Sequence, residues 1–160
     1  NADFPSTIPA YGRIQGFQDF CETNGLEHRI MIRDFGASFE ENNAEIAKLL
    51  QEIEEIYPEK KAGIFMPNDT HANILLNLII RKYGTLPERY KIVGFDNSPV
   101  SREAAFPITT VGQQMDKIAH EAVELLSQQI SERKKRRPKP LSAPIHKVLT
   151  PVLIRRETTK

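Results

Sequence analysis

Cysteine is almost absent from this sequence: Cys21 is the only one in 160 residues. A single thiol excludes an internal disulfide and any paired-cysteine metal site, and it fits a reducing compartment. No apolar run is long enough to span a bilayer, and no signal peptide is read at this N-terminus, so no membrane role is expected. Asn1-Ala2 reads as a cloning scar, in which case the natural start lies elsewhere. The formal net charge of +1 gives no general field for nucleic acid. Catalytic signatures are missing too: there is no G-x-S-x-G, no H-E-x-x-H and no phosphate-binding glycine loop. His71 follows Asp69 by two residues, a spacing that does not put both on one helical face. Cys21 falls in an apolar helical stripe and reads as core. No enzyme, no cofactor and no metal are expected.

What is present is an ordinary soluble composition, 39% hydrophobic and 27% charged, long enough to bury a core. The chain is organised around Ala62 to Asn97. Ala62 to Met66 is an apolar run without alternation, as in a strand covered on both faces. Asp69 or Thr70 can cap the helix that follows, on which Ala72, Leu75, Leu76, Ile79 and Ile80 recur at helical spacing. Gly84 stands where a left-handed C-cap is needed. Tyr90 to Phe95 is a second apolar strand. The helical crossover predicts a βαβ unit with parallel strands.

Both strands break into polar residues at their carboxyl ends, Asn68-Asp69 and Asp96-Asn97. Ligands of open α/β sheets bind in the crevice outside those ends. Asn68 and Asp96 are therefore read as ligand contacts, and Asp69 as an N-cap only.

Along the rest of the chain, residues 1–9 read as scar or linker. Ala10 to Asn24 reads as a helix carrying Arg13 in its first turn, where the macrodipole does not favour a cation. His28 to Phe35 is expected to be a third strand, and Ser38 with Glu41 a capping box opening a helix to Tyr57. Repeated β/α alternation predicts an α/β fold with a parallel sheet and helices on both faces. Ile108 to Val111 reads as a short strand, and Met115 to Gln129 as a long amphipathic helix. Arg133 to Pro140 is a basic, proline-broken run, read as a solvated loop rather than a phosphate contact. Val148 to Arg155 reads as a last strand.

The segments YGRIQGF, IFMPNDTHA, KIVGFDN, PITTVGQ and VLIRRETT, in this order and spacing, resemble the LacI/GalR family of transcriptional repressors. The likeness runs from about Tyr11 to the end, and is similar in particular to arabinose-type repressors with a GntR-like head. It implies a periplasmic-binding-protein-like (type I) effector domain of two lobes behind a DNA-binding head. On that basis residues 10–112 are the C-terminal lobe. Residues 113–140 are a helix and basic loop that belong with the N-terminal lobe, and 141–160 the returning C-terminal strand. By position in the family motifs, Arg13, Asn68 and Asp96 correspond to effector contacts, and Phe35 to an aromatic packed on the effector. Asn97 departs from the family, which often has a second Asp there. The chemistry suits a sugar: Arg donates, Asp accepts from hydroxyls, Asn does both, and a ring covers the C–H face.

The resemblance implies the effector-binding fragment of a cytoplasmic repressor of carbohydrate utilisation. It implies a sugar or sugar phosphate as effector, operator DNA as partner through an absent head, and a homodimer. A solute-binding receptor for sugar uptake is the alternative on the same fold. The helix from Thr70 to Lys82, apolar on more than one face at Ile74 and Leu78, is expected to serve the dimer or to pack within the lobe. The stripe of Met115, Ile118, Ala122, Leu125 and Leu126 is expected to dock on a neighbouring chain or fold back on its own lobe.

Overall fold

The computed structural model describes residues 11–135 and 144–160. The linker expected over residues 1–9, and residues 136–140 of the basic run, lie outside the described residues. The chain divides into two compact units, Asn1–Pro58 and Glu59–Lys160.

In the first unit, α1 spans Tyr11–Thr23 and buries Cys21, as its stripe predicts. Gly25 follows at φ 62, and Leu26 N–H returns to Cys21 C=O at 2.9 Å, closing the helix as expected of a left-handed C-terminal residue. Helix α2, Phe39–Ile56, opens on the predicted capping box. Glu41 N–H donates to Ser38 Oγ at 3.1 Å, while the Glu41 carboxylate accepts from Ser38 N–H at 3.2 Å. Ile46, Leu49, Leu50 and Ile53 make its buried face. The segment from His28 to Phe35 is not a strand. It runs irregularly from α1 toward the Ser38 cap, with Ile32 exposed, and enters no ladder among the described residues. Its β-branched composition suits an extended chain, but a strand exists only through a partner's hydrogen bonds.

The second unit is a four-stranded sheet in the order β1-β2-β3-β4: Ala62–Phe65, Tyr90–Phe95, Thr109–Gly112 and Val152–Ile154. The first two pairings are parallel, with Ile64 opposite Ile92 and Phe95 opposite Val111. β4 closes one edge antiparallel, with Leu153 opposite Val111, and is shorter than the run expected from Val148. Helix α3, Asp69–Tyr83, makes the β1–β2 crossover and ends on Gly84 at φ 76. It buries Ala72, Leu75, Leu76 and Ile79, which share the core with Tyr90, Ile92 and Ile108. Ile74 is also buried within the chain, so at that position packing inside the lobe accounts for the second apolar face. A short helix, α4 (Pro99–Glu103), leads from β2 toward β3.

Helix α5, Met115–Arg133, follows β3 and buries none of its residues. Met115, Val123 and Leu126 are 59%, 63% and 58% exposed, and Ile118 and Ile130 are exposed as well. The stripe is therefore not covered by the described residues of its own unit. The segment before β4 meets it through an ion pair between Lys147 and Glu121. No helix among the described residues is long and apolar enough to cross a membrane.

Candidate functional site

Because β1, β2 and β3 run parallel, their carboxyl ends share one edge of the sheet. Asn68 follows β1, Asp96 follows β2, and Gln113 follows β3. The structure thus brings Asn68 and Asp96 to the same edge. Arg13, in the first turn of α1, and Phe35, just ahead of the Ser38 cap, are half-buried residues of the other unit.

Asn68 is the N-cap of α3, correcting the expectation of Asp69 or Thr70. Its backbone is extended at φ −157, and its Oδ1 accepts from His71 N–H at 2.9 Å. Capping occupies only the carbonyl end of the amide. Its Nδ2 donates to no partner among the described residues. His71, one turn in, is held below the ordinary imidazole pKa by partial burial, so it is neutral at pH 7.

Asp69, expected to do no more than cap, is instead a fully buried carboxylate. Its Oδ2 accepts from Ser98 N–H at 2.7 Å and from the Ser98 hydroxyl at 3.1 Å. Its Oδ1 accepts from the Thr110 hydroxyl at 2.6 Å. One side chain therefore ties the end of β1 to the loop after β2 and to β3. The approach is close enough to need a glycine in β2, since a Cβ at Gly94 would stand 2.2 Å from Asp69 Oδ1. A carboxylate this deep is tolerable because its oxygens are satisfied by fixed donors.

Above this knot sits an unusual turn. Asp96 and Asn97 both have positive φ, 100 and 54. Asparagine tolerates the left-handed region, but an aspartate at φ 100 is strained, and such strain persists only where the surroundings fix it. Asp96 N–H donates to Val111 C=O at 2.9 Å, and Asn97 N–H to Thr110 Oγ1 at 3.3 Å. The Asn97 side-chain Oδ1 accepts from Arg156 Nη2 at 2.7 Å. Arg156 Nη1 also reaches the Ser101 hydroxyl at 3.1 Å and Ile108 C=O at 2.8 Å. The Asp96 carboxylate itself is exposed, and its Oδ1 accepts from Gln113 Nε2 at 2.7 Å. Its other oxygen has no hydrogen-bond partner among the described residues.

The edge therefore offers an amide donor on Asn68 and an acceptor on Asp96, both on rigid strand ends. That pairing suits polyhydroxylated ligands, whose hydroxyls donate and accept. Asp69, Gln113 and Arg156 were not recognised as contributors from sequence. Gln113 and Arg156 lie within the PITTVGQ and VLIRRETT segments, so those motifs held the signal. No group of His, Cys, Asp and Glu able to hold a metal occurs among the described residues.

The chain belongs to the periplasmic binding protein-like domain family, whose pattern matches residues 3–159. Its relatives include the sucrose operon repressor of Pediococcus pentosaceus, 27% identical over 78% of this chain and 36% of that protein. The repressor PurR of Mannheimia succiniciproducens is 28% identical over 81% of this chain and 38% of its own length. Both are transcriptional repressors, not enzymes, and the chain spans less than two fifths of either. Among solved structures, a transcriptional regulator CelR–cellobiose complex superimposes with a TM-score of 0.73 at 23% identity. It covers 96% of this chain and 44% of that one, a likeness of fold.

Proposed function

We propose that the chain is part of the effector-binding domain of a cytoplasmic LacI/GalR-type transcriptional repressor of carbohydrate use. The observation that carries the reading is the edge formed by Asn68, Asp96 and Gln113 at the ends of three parallel strands. The repressor relatives support the regulatory role. The sucrose repressor and the cellobiose complex support a saccharide over the purine suggested by PurR. In this reading residues 10–112 form the C-terminal lobe, 113–140 belong with an N-terminal lobe, and 141–160 return. By their place in the family motifs, Arg13 and Phe35, like Asn68 and Asp96, are effector contacts for a sugar or sugar phosphate, Arg13 as donor and Phe35 as an apolar surface. The protein works as a homodimer on operator DNA through a separate head of the GntR kind.

The mechanism is a population shift. A sugar that closes the cleft biases the DNA-competent and incompetent arrangements only by its differential affinity for them. Charged hydrogen bonds of about 1.5–3 kcal/mol each, left unmade by the wrong stereoisomer, supply the selectivity. The test is melting of the full-length protein with sucrose, cellobiose, ribose and hypoxanthine, followed by operator release by whichever raises the midpoint. A shift by a sugar that also changes operator affinity is expected. A response to hypoxanthine alone makes it a purine regulator, and a sugar shift without any operator binding favours an uptake receptor.

A further inference from the structure

We propose that Arg156 is a positioning residue of the effector site, holding the Asp96–Asn97 turn left-handed so that the Asp96 carboxylate faces the ligand. The inference rests on the effector-binding reading above, so turn geometry and ligand affinity are measured separately.

Two consecutive non-glycine residues at positive φ do not hold that form unaided, and Asp96 at φ 100 lies well outside the small left-handed well. Backbone bonds to Val111 and Thr110 tether the two amides of the turn. What fixes the side of Asn97 away from them is the Arg156 guanidinium, delivered from 59 residues further along the chain. Its planar fork also grips the Ser101 hydroxyl in α4 and Ile108 C=O at the entry to β3. The Arg156 backbone is itself anchored, its N–H donating to Thr109 Oγ1 at 2.8 Å. The loop after β2 is thus bolted to β3 by a group whose position the sheet determines.

The direction of the Asp96 side chain depends on this arrangement. If φ at Asp96 relaxes to the ordinary negative range, the Cα–Cβ bond swings to the other side of the chain. The carboxylate then leaves Gln113 and the sheet edge. Lysine cannot replace the brace, because a point ammonium lacks the fork that reaches three acceptors at fixed angles.

The experiment uses the full-length protein with Arg156→Lys, Asn97→Ala and the double variant Arg156→Lys/Asn97→Gly. Crystal structures read φ at residue 96, and titration calorimetry reads affinity for the sugar, among sucrose, cellobiose and ribose, that stabilises the wild type. Arg156→Lys and Asn97→Ala are expected to release the turn and weaken binding on the order of tenfold. In the double variant, glycine at 97 adopts its left-handed form without a brace and removes the part of the strain that Asn97 carries, so part of the geometry and of the affinity returns. Asn97→Ala carries the test alone if Arg156→Lys does not fold. A lowered melting temperature with φ and affinity unchanged would make Arg156 purely structural and overturn the proposal, as would a released turn that binds normally. If no sugar binds the wild type, the effector reading has failed, and an unchanged turn in Arg156→Lys would then overturn this inference independently.

Discussion

Replacing Gly94 by alanine should be among the most damaging single-methyl additions in this chain. The added Cβ would lie 2.2 Å from Asp69 Oδ1 and 3.2 Å from the Asp69 Cα. The first distance forces the carboxylate to turn away, and the second prevents α3 from accommodating the methyl without moving its own backbone. Overpacking of this kind costs about 1–3 kcal/mol. Turning the carboxylate away also breaks the 2.6 Å bond from Thr110, which is fully buried and has no route to water. Losing that charge-assisted bond adds roughly 1.5–3 kcal/mol. Against this, alanine is favoured over glycine in a strand interior by only about 0.5–1 kcal/mol. The net loss is therefore about 2–5 kcal/mol, a large part of the ~5–15 kcal/mol typical of a domain. Urea unfolding should show a lower midpoint with an unchanged slope. In an Asp69→Ala background the same substitution should cost distinctly less, because the atom it meets is gone. A loss below about 1 kcal/mol, or full additivity with Asp69→Ala, would refute the close-packed knot.

Four further outcomes are expected. Asn68→Ala removes the α3 cap and should lower stability by about 1 kcal/mol, while Asn68→Asp, which still accepts from His71 N–H, should keep stability; thermal melts of both decide it. Asp96→Gly relieves a strained backbone and should not lower the melting temperature, yet it should abolish the operator response to sugar; a retained response would remove Asp96 from the site. Burial pushes the Tyr90 phenol up to about 12 from 10.0, although the Arg89 guanidinium bonded to its hydroxyl opposes the shift. Folding then favours the protonated phenol, so this stability is whole below about pH 10 and drains as pH rises toward 12; Tyr90→Phe should lose less stability between about pH 9 and pH 11.5, read from urea midpoints. Leu126→Glu on exposed α5 should change the stability of this chain by no more than about 0.5 kcal/mol, and a large loss in urea unfolding would mean that the helix face is covered after all.

The βαβ unit was legible because its two strands and crossover helix differ in period, and because Gly84 marks where the helix must stop. The cap, expected at Asp69 or Thr70, stands one or two residues earlier at Asn68. Asn68, Asp69 and Thr70 are all good cap formers, and local sequence does not decide among three in a row. Nor could it reveal that Asp69 is buried, since its partners lie 29 and 41 residues away. Asn68 and Asp96 were located by the rule that strand ends face ligand, which depends only on finding the strands. The bracing of Asp96 by Gln113 and of Asn97 by Arg156 depends on β3 and β4 being brought alongside, and no periodicity encodes that. His28 to Phe35 failed in the opposite direction: its composition is that of a strand, but composition does not supply a neighbour.

The residues after β4 carry a consequence for the order of events during synthesis. Thr158 is fully buried; its hydroxyl donates to Ile92 C=O at 2.6 Å and accepts from Thr109 N–H at 2.9 Å. These bonds reach into the middle of β2 and the start of β3, positions translated some fifty to sixty-six residues earlier. At ~5–20 residues per second, a nascent chain waits several seconds with those groups unmet and its sheet edge open. The sheet is thus completed from its last strand. Folding on the ribosome cannot finish before Arg156 and Thr158 clear the exit tunnel, so the edge of β3 stays unpaired while the stretch between β3 and β4 is made.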